Sequence, residues 1–418
     1  MKRKLRPPQR LWILLATLAV VVVGAKVAAD VTQPGDEAVF QRTAAFRASQ
    51  PRMLQSIPFQ KTPRGLPNLH AKTCGACHVD IYKEWQLSTH AKALHGDPQF
   101  IAEVHKNNTG KQAGWVCMNC HTPLENQQKN LVVAIVDDTY GKPVTEPNPH
   151  YDAALEQEAI TCATCHVRDG VVLGPFGDTK APHPTKKWPD LQASSTCTQC
   201  HQANATLPND SLMCAFTTGD EAQKASSQTC QECHMPAVTR PLMPGRKARP
   251  TRRHYFMGSL LPKTPQDAAA IDGVRHLFKQ GLKVTMPTQA KRQGGQLVVD
   301  VVYENAHAGH LLPTGDPERF LRIDVDVIAM NGQRLLHKEV RIGTVYQWDP
   351  EPKKLADNRL KAKERRTLQV AMPDPGDDVT VHVKVTKGRI SQANLRYHHL
   401  EDKVVGEQVV FDDKVVLH

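Results

Sequence analysis

The chain has 418 residues, which predicts two or three domains, and only 5% of them are aromatic, a thin supply for cores of that size. The formal charge of +11 does not point to a nucleic-acid partner, because six of the cations lie in residues 1–29, where there is no acid, and the rest of the chain carries +5 (11 minus 6). We find no phosphate loop, dinucleotide fingerprint or metal-binding helix motif, so the sequence gives no basis for nucleotide, flavin or molybdenum chemistry.

Residues 1–29 have the pattern of an export signal. A basic start is followed by an apolar run over residues 11–25, and Val27-Ala28-Ala29 forms a cleavage-type sequence before Asp30. The apolar run has 15 residues and is short for a bilayer span, which needs about 20. We therefore predict a signal peptide, with an uncleaved anchor in the inner membrane as the alternative. Both predict a periplasmic or otherwise exported protein.

Residues 30–70 are polar with scattered prolines, which predicts an extended leader.

The sequence Cys-x-x-Cys-His, the attachment signature of c-type haem, occurs five times within residues 71–262. In this motif two cysteines bond to the haem edge and the histidine supplies the proximal ligand to iron. The alternatives are zinc ribbons and disulfides, but neither requires a histidine after every second cysteine. We therefore predict a loop-rich, mostly α domain that holds five covalent haem c groups. The motif residues are Cys74, Cys77 and His78; Cys117, Cys120 and His121; Cys162, Cys165 and His166; Cys197, Cys200 and His201; and Cys230, Cys233 and His234.

The pattern changes after the last motif. A helical connector is expected over residues 263–281, and strands follow from residue 282. Residues 296–304, 320–328 and 379–385 have strand composition or alternation, and Asn331-Gly332 marks a hairpin. Residues 282–418 therefore predict an all-β, immunoglobulin-like sandwich.

Two haem segments resemble multihaem cytochromes related to the tetrahaem electron carrier of ammonia oxidisers. The first is the opening motif with the Ser88-Thr89-His90-Ala91 segment, and the second is the closing motif followed by His254-Tyr255-Phe256-Met257-Gly258. The loop at residues 309–315 resembles one found in β-sandwich domains fused to such cytochromes. The resemblance implies electron transfer through stacked haems. This chain has five motifs where that carrier has four.

Four histidines are candidates for the distal, sixth iron ligands. The resemblance implies this role for His90, usually toward a different haem, and the context of His254 matches the same group. His183 lies between two prolines that fix its backbone. His310 precedes Pro313-Thr314-Gly315 and could reach from the sandwich into the haem domain.

The fifth distal position stays open, and one haem could have an open face. Further histidine candidates are His70, His95, His105, His150, His276 and His307; weaker methionine candidates are Met213, Met243 and Met257. Cys214, outside the motifs, is interpreted as a small buried side chain rather than a reactive thiol.

The favoured function is an electron carrier in a respiratory pathway, whose partners are other cytochromes or a quinol-linked membrane donor. The alternative is a multihaem oxidoreductase that acts on a small nitrogen or sulfur compound at one open iron. A third interpretation makes the sandwich a docking module. Around the loop at 309–315, Asp316, Glu318 and Arg319 could serve a turn, ion pairs or a haem propionate. The sequence does not indicate an oligomeric state.

Overall fold

The computed structural model describes residues 34–108, 113–177, 180–206, 212–347 and 353–418. Residues 1–29, predicted to be a signal peptide or anchor with an apolar run at 11–25, lie outside the described residues. Within the described ranges, none of the helices combines the length and the apolar character that crossing a bilayer requires.

The first half of the chain is built from short helices joined by loops. Most are too short to be stable in isolation, so their conformation depends on packing around the haem motifs. The helices are α1 (Pro34–Ser49), α2 (Ala71–Gly75), α3 (Val79–Leu87), α4 (Pro98–Asn108), α5 (Trp115–His121), α6 (Ala153–Glu156), α7 (Cys162–His166), α8 (Ser195–His201), α9 (Thr218–Ala225) and α10 (Cys230–His234).

Small β-ribbons fill the spaces between these helices. Three of them are antiparallel pairs, and the fourth, β3-β4-β5, is a three-stranded sheet with one parallel pairing. The strands are β1 (Asn130–Ile135), β2 (Pro143–Pro147), β3 (Val167–Arg168), β4 (Val171–Gly174), β5 (Thr185–Lys187), β6 (Ala203–Thr206), β7 (Leu212–Phe216), β8 (Ala237–Arg240) and β9 (Arg249–Arg252).

The leader differs from the sequence prediction. Residues 30–70 were expected to be extended, but residues 34–49 form α1. Its proline stands at the first position, where a helix tolerates it, and the remaining prolines of the leader come after the helix ends. Asp36 and Glu37 in the first turn and Arg47 in the last turn also suit the helix dipole.

The connector is a broken helix. A 3₁₀ turn at Pro265–Asp267 leads into α11 (Ala268–Val274), and a second 3₁₀ turn follows at Arg275–Leu277. Ile271 and Val274 are buried against Met257 and Leu260, so the connector packs onto the end of the haem domain.

The C-terminal third of the chain is a β-sandwich, as the strand patterns predict. One sheet pairs β12 with β16 on one side and with β10 and β11 on the other; the second has the order β15-β14-β13-β17-β18. One helix, α12, lies between the last two strands. The elements are β10 (Leu282–Thr285), β11 (Lys291–Gln293), β12 (Gln296–Asn305), β13 (Phe320–Ala329), β14 (Arg334–Gln347), β15 (Lys353–Asp357), β16 (Arg365–Pro373), β17 (Val379–Gly388), α12 (Gln392–Tyr397) and β18 (Glu407–Leu417).

Alternate residues of the central strands face the space between the two sheets. The inward side chains of β12, β13 and β17, such as Val301, Ile323 and Val383, are fully buried in one cluster. The β13–β14 hairpin turns at Asn331-Gly332, where Gly332 has a φ of +86°. The period of two therefore places one apolar face inside and leaves the other for solvent or the haem domain.

Candidate haem-binding site

Each Cys-x-x-Cys-His motif lies on or at the end of a short helix. The motifs of Cys162–His166 and Cys230–His234 are the whole of α7 and α10. Two others end α5 and α8, and the first motif begins inside α2 and continues past its end. Residues three and four apart share one face of a helix, so this conformation presents both thiols and the imidazole on the same side. That is the arrangement a covalently attached haem requires.

The motif histidines are oriented by backbone carbonyls. The Nδ1 atoms of His78, His166 and His234 lie 2.8, 2.8 and 2.7 Å from the carbonyl oxygens of Leu242, Leu173 and Met257. Donation from Nδ1–H fixes the tautomer and leaves the Nε2 lone pair free for a metal. His121 has the same contact with the carbonyl of Ala93.

Three of the predicted distal histidines face motif histidines. Ring centroids are 6.3 Å apart for His90 and His201, and 6.2 Å apart for His166 and His254. An imidazole–metal bond is about 2 Å and the ring centre lies roughly 1 Å behind its nitrogen, so two imidazoles on one metal have centroids about 6 Å apart.

The third facing pair crosses the domain boundary. His234, in the last haem motif, and His310, in the sandwich loop, have ring centroids 6.3 Å apart and an interplanar angle of 9°. The Nδ1 of His310 lies 2.7 Å from the carbonyl of Leu311, and its own carbonyl accepts a bond from Asn305 at 2.9 Å. The sandwich therefore presents a fixed imidazole to the haem domain.

These imidazoles are held in their neutral form. Burial is the main cause that lowers the pKa of His90 to about 3 and the pKa values of His201 and His254 to about 4. Burial also lowers the pKa values of His166 and His310. A neutral imidazole is the form that binds iron, so the surroundings of these residues fit a haem ligand.

The motif residues do not form the alternatives considered from the sequence. None of the ten motif cysteines is in a disulfide. Within the described residues, the group of three or more ligating side chains within reach of one ion is Asp324, His337 and Glu339 on the sandwich, away from every motif. A tetrahedral zinc ribbon is therefore not built by these cysteines.

Motifs distant in sequence lie side by side. The thiol of Cys74 is in hydrogen-bond contact with Cys162, joining the first and third motifs. Cys200 of the fourth motif has the same contact with Cys120 of the second. Its neighbour Cys197 contacts Cys230 of the fifth. The fourth motif thus lies between the second and the fifth.

His254 is positioned by a buried ion cluster that sequence reasoning missed. Glu84 is 4% exposed and accepts hydrogen bonds at 2.7 and 2.8 Å from the guanidinium of Arg240 and at 2.8 Å from Arg253. It also accepts the backbone N–H of His254 at 2.8 Å. Arg253 therefore shares this carboxylate with Arg240. A lone Glu in a charged segment gives no sequence signal for such a role.

The remaining distal candidates lie in other surroundings. The Nδ1 of His183 is 3.4 Å from the carbonyl of Pro184. The Nε2 of His70 lies 2.8 Å from a carboxylate oxygen of Asp152, so this ring nitrogen already has a hydrogen-bond partner. His150 stacks against the ring of Phe40, with ring centroids 5.5 Å apart, and no motif imidazole faces it among the described ring contacts. The exposed candidates are His95, His105, His276 and His307.

Two motif histidines have no facing imidazole among the ring contacts of the described residues: His78 and His121. The ring of Phe100 stacks on His121 with centroids 3.5 Å apart and an interplanar angle of 4°. Met257, one of the methionine candidates, is buried in the connector core. The side chains of Met213 and Cys214 lie outside the described part of the chain.

Comparison with known proteins agrees with this geometry. Residues 73–167, which contain the first three motifs, match the family model described as cytochrome c554 and c-prime. A search of curated proteins finds no match.

Among solved structures, the chain is similar to a penta-haem cytochrome c552 from Thermochromatium tepidum. The two share 17% identity and a TM-score of 0.59, over 85% of this chain and 100% of that one, which establishes a common fold. A β-glucosidase from Kluyveromyces marxianus aligns with 32% of this chain over 14% of its own length, at 11% identity. Its TM-score of 0.13 does not indicate a shared fold. The family match, the shared fold and the motif geometry support a multihaem c-type cytochrome with covalently bound haem c.

Proposed function

We propose that the protein is an exported carrier that passes electrons along five covalently bound haems in a respiratory pathway. The observation that carries the proposal is the set of facing histidine pairs, with centroids 6.2 to 6.3 Å apart. An iron with an imidazole on each face has no position for a substrate, so its role is electron exchange. In this proposal His90, His254 and His310 are the distal ligands of the haems on the fourth, third and fifth motifs.

Continuity of the motifs supports a conducting chain. The first motif contacts the third, and the second contacts the fourth, which in turn contacts the fifth. Phe256 relates the third motif to the fourth, because its ring centroid lies 4.6 Å from that of His90 and 5.5 Å from that of His254. An electron entering at the first, second or fifth motif therefore has a neighbouring haem at each step through the fourth.

The partners and location belong to the same proposal. Residues 1–29 have the composition of an export signal, and c-type haems are attached after export. We infer a periplasmic protein whose partners are other cytochromes or a quinol-linked membrane donor. His183 is proposed as a fourth distal ligand because its loop is held rigid by flanking prolines and its side chain is half-buried.

One observation favours a second function. Among the described ring contacts no imidazole faces His78 or His121, and an open iron at either motif would admit a small nitrogen or sulfur compound. The oxidoreductase alternative therefore concerns these two haems and not the three with facing histidines.

The test is electron paramagnetic resonance of the fully oxidised holoprotein, with haems counted by mass. Five haems with only low-spin signals would support the carrier. A high-spin signal equivalent to one haem that shifts on addition of nitrite or hydroxylamine would replace the carrier with the oxidoreductase. Fewer than five haems by mass would contradict the proposed count.

A further inference from the structure

Three cations cluster where the sandwich meets the haem domain. Arg389, just after β17, is 8% exposed and reaches across the boundary to the carbonyl oxygens of Leu261 and Pro262, at 3.0 and 3.4 Å. Lys263 is the next residue along that segment, and its ammonium forms an ion pair with Asp97. Arg319 comes from the loop after His310.

Two of these cations lack a carboxylate of their own. Arg319 donates to the carbonyl of Thr314 at 3.1 Å, and the Nε of Arg389 is buried without a hydrogen-bond partner. Among the described residues neither guanidinium has an ion pair within 4.0 Å. Asp316 attracts both, but more weakly than direct contact would. Burying a charge without a direct partner costs several kcal/mol, so a native protein rarely leaves such groups unpaired.

The acids around the cluster are already engaged. Asp97 pairs with Lys263, and Asp267 pairs with Lys92. Asp267 also accepts hydrogen bonds from the backbone N–H and the hydroxyl of Thr264. Asp316 accepts the backbone N–H of Glu318 at 2.9 Å. Within the described ranges, none of these three carboxylates forms an ion pair with Arg319 or Arg389.

The cluster lies beside the fourth haem motif. His90, the imidazole that faces His201, packs against Phe256 with ring centroids 4.6 Å apart. The same segment then continues to the carbonyls bound by Arg389 and to Lys263. The charges of Lys263 and Arg319 act on His90 and His201 respectively. The cations thus lie near this pair of imidazoles.

We propose that Arg319 and Arg389, with Lys263, bind the two propionates of the haem held by the fourth motif. A haem carries two carboxylates at one edge, and two unpaired guanidinium groups are the matching number. The proposal rests on the haem array proposed above. It makes the sandwich a part of the haem site, since it supplies the cations for one haem and the distal histidine, His310, for the next.

The consequence is a raised potential for the fourth haem. The reduced iron centre has one positive charge fewer, so a nearby cation stabilises it relative to the oxidised centre. Charges about 10 Å apart at an effective protein permittivity of about 20 change a one-electron equilibrium roughly tenfold. The fourth motif contacts both the second and the fifth. The potential of its haem would therefore control electron transfer between the haems of those two motifs.

The test is a redox titration of the holoprotein followed by electron paramagnetic resonance. In Arg389→Gln we expect the ferric form of one haem to be favoured about tenfold more than in the wild type, a downward shift of about 59 mV for one electron. Arg389→Lys keeps the charge and should retain most of the potential. Arg292→Gln is the matched control, because Arg292 is a sandwich guanidinium with its own partner, Asp374. His90→Met identifies the fourth haem, because a Met ligand raises its potential.

The outcomes separate the two proposals. Suppose that the wild type has five low-spin haems. If Arg389→Gln then shifts the potential of no haem, or of a haem whose potential His90→Met leaves unchanged, the propionate assignment is wrong while the proposed haem array stands. If His90→Met changes no haem, the array itself fails. If the wild-type potential depends on added phosphate, the cations bind a free anion from solvent, which also overturns the assignment.

Discussion

Glu84→Gln tests whether the buried carboxylate positions His254, the proposed distal ligand. Gln keeps the size of the side chain and one acceptor oxygen but loses the charge, and its amide N–H groups face the N–H groups of Arg240. Burial alone would raise the pKa of Glu84, but the bonds from Arg240 and from the backbone of His254 outweigh it and hold the pKa below its usual value. The wild-type carboxylate is therefore ionised at neutral pH.

The expected cost follows from the contacts. Breaking a buried ion pair by removing one partner costs about 3–5 kcal/mol, because it leaves an uncompensated charge. Glu84 and Arg240 are 4% and 8% exposed, so solvent cannot replace the lost bonds. For a domain of about 200 residues this corresponds to a fall in Tm of roughly 10 °C. Because Glu84 also accepts the N–H of His254, one haem should lose its low-spin signal in part of the population.

Thermal unfolding and electron paramagnetic resonance of the oxidised holoprotein provide the two readouts. Glu146→Gln is the matched control, since Glu146 is a surface carboxylate paired with Arg42, and exposed pairs contribute little. Equal Tm values for the two variants would refute the buried-pair argument. A lower Tm for Glu84→Gln with all low-spin signals intact would show that Glu84 stabilises the domain without positioning His254.

Two further predictions concern the sandwich. His310→Ala should convert one haem to high spin and let it bind added imidazole, while the other signals stay unchanged; five unchanged low-spin signals would remove His310 from the ligand set. Burial lowers the pKa of Lys387 to about 8 from 10.5, so between pH 8 and 10 the folded protein has released a proton that the unfolded chain retains, and stability rises with pH. Denaturant unfolding at several pH values should show that the free energy of unfolding of Lys387→Met lacks this rise, which amounts to at most about 1.4 kcal/mol per pH unit. Parallel pH profiles of the free energy of unfolding for the wild type and the variant would contradict a lowered pKa of Lys387.

The Cys-x-x-Cys-His motifs and the main strands could be recognised in the sequence because each depends on local spacing. A Cys-x-x-Cys-His turn needs only five adjacent residues, and alternation along β12 and β17 follows from the pleat. The helix at Pro34–Ser49 was missed because its single proline was counted together with those that follow the helix. The edge strand Lys353–Asp357 is exposed along its whole length, so no apolar alternation marks it.

The supporting contacts of the site could not be predicted, because they join segments far apart in the chain. Glu84 meets Arg240, and Arg389 meets the carbonyl of Leu261, through the tertiary fold alone. The assignment of His90 opposite His201 is of the same kind. A motif names its own histidine, but which distant histidine faces it depends on the packing of the whole domain.

The dependence of the haem domain on long-range contacts also explains how a chain with only 5% aromatic residues can pack a domain of this size. The motif helices have five to seven residues, where an isolated helix would not persist. A haem that is bonded to one such helix and ligated by a histidine from a distant segment would cross-link the two, and its flat apolar mass would replace core side chains. His310 extends the same principle across the domain boundary. The sandwich, whose own core is apolar and continuous, then acts as the rigid body that holds His310 opposite His234.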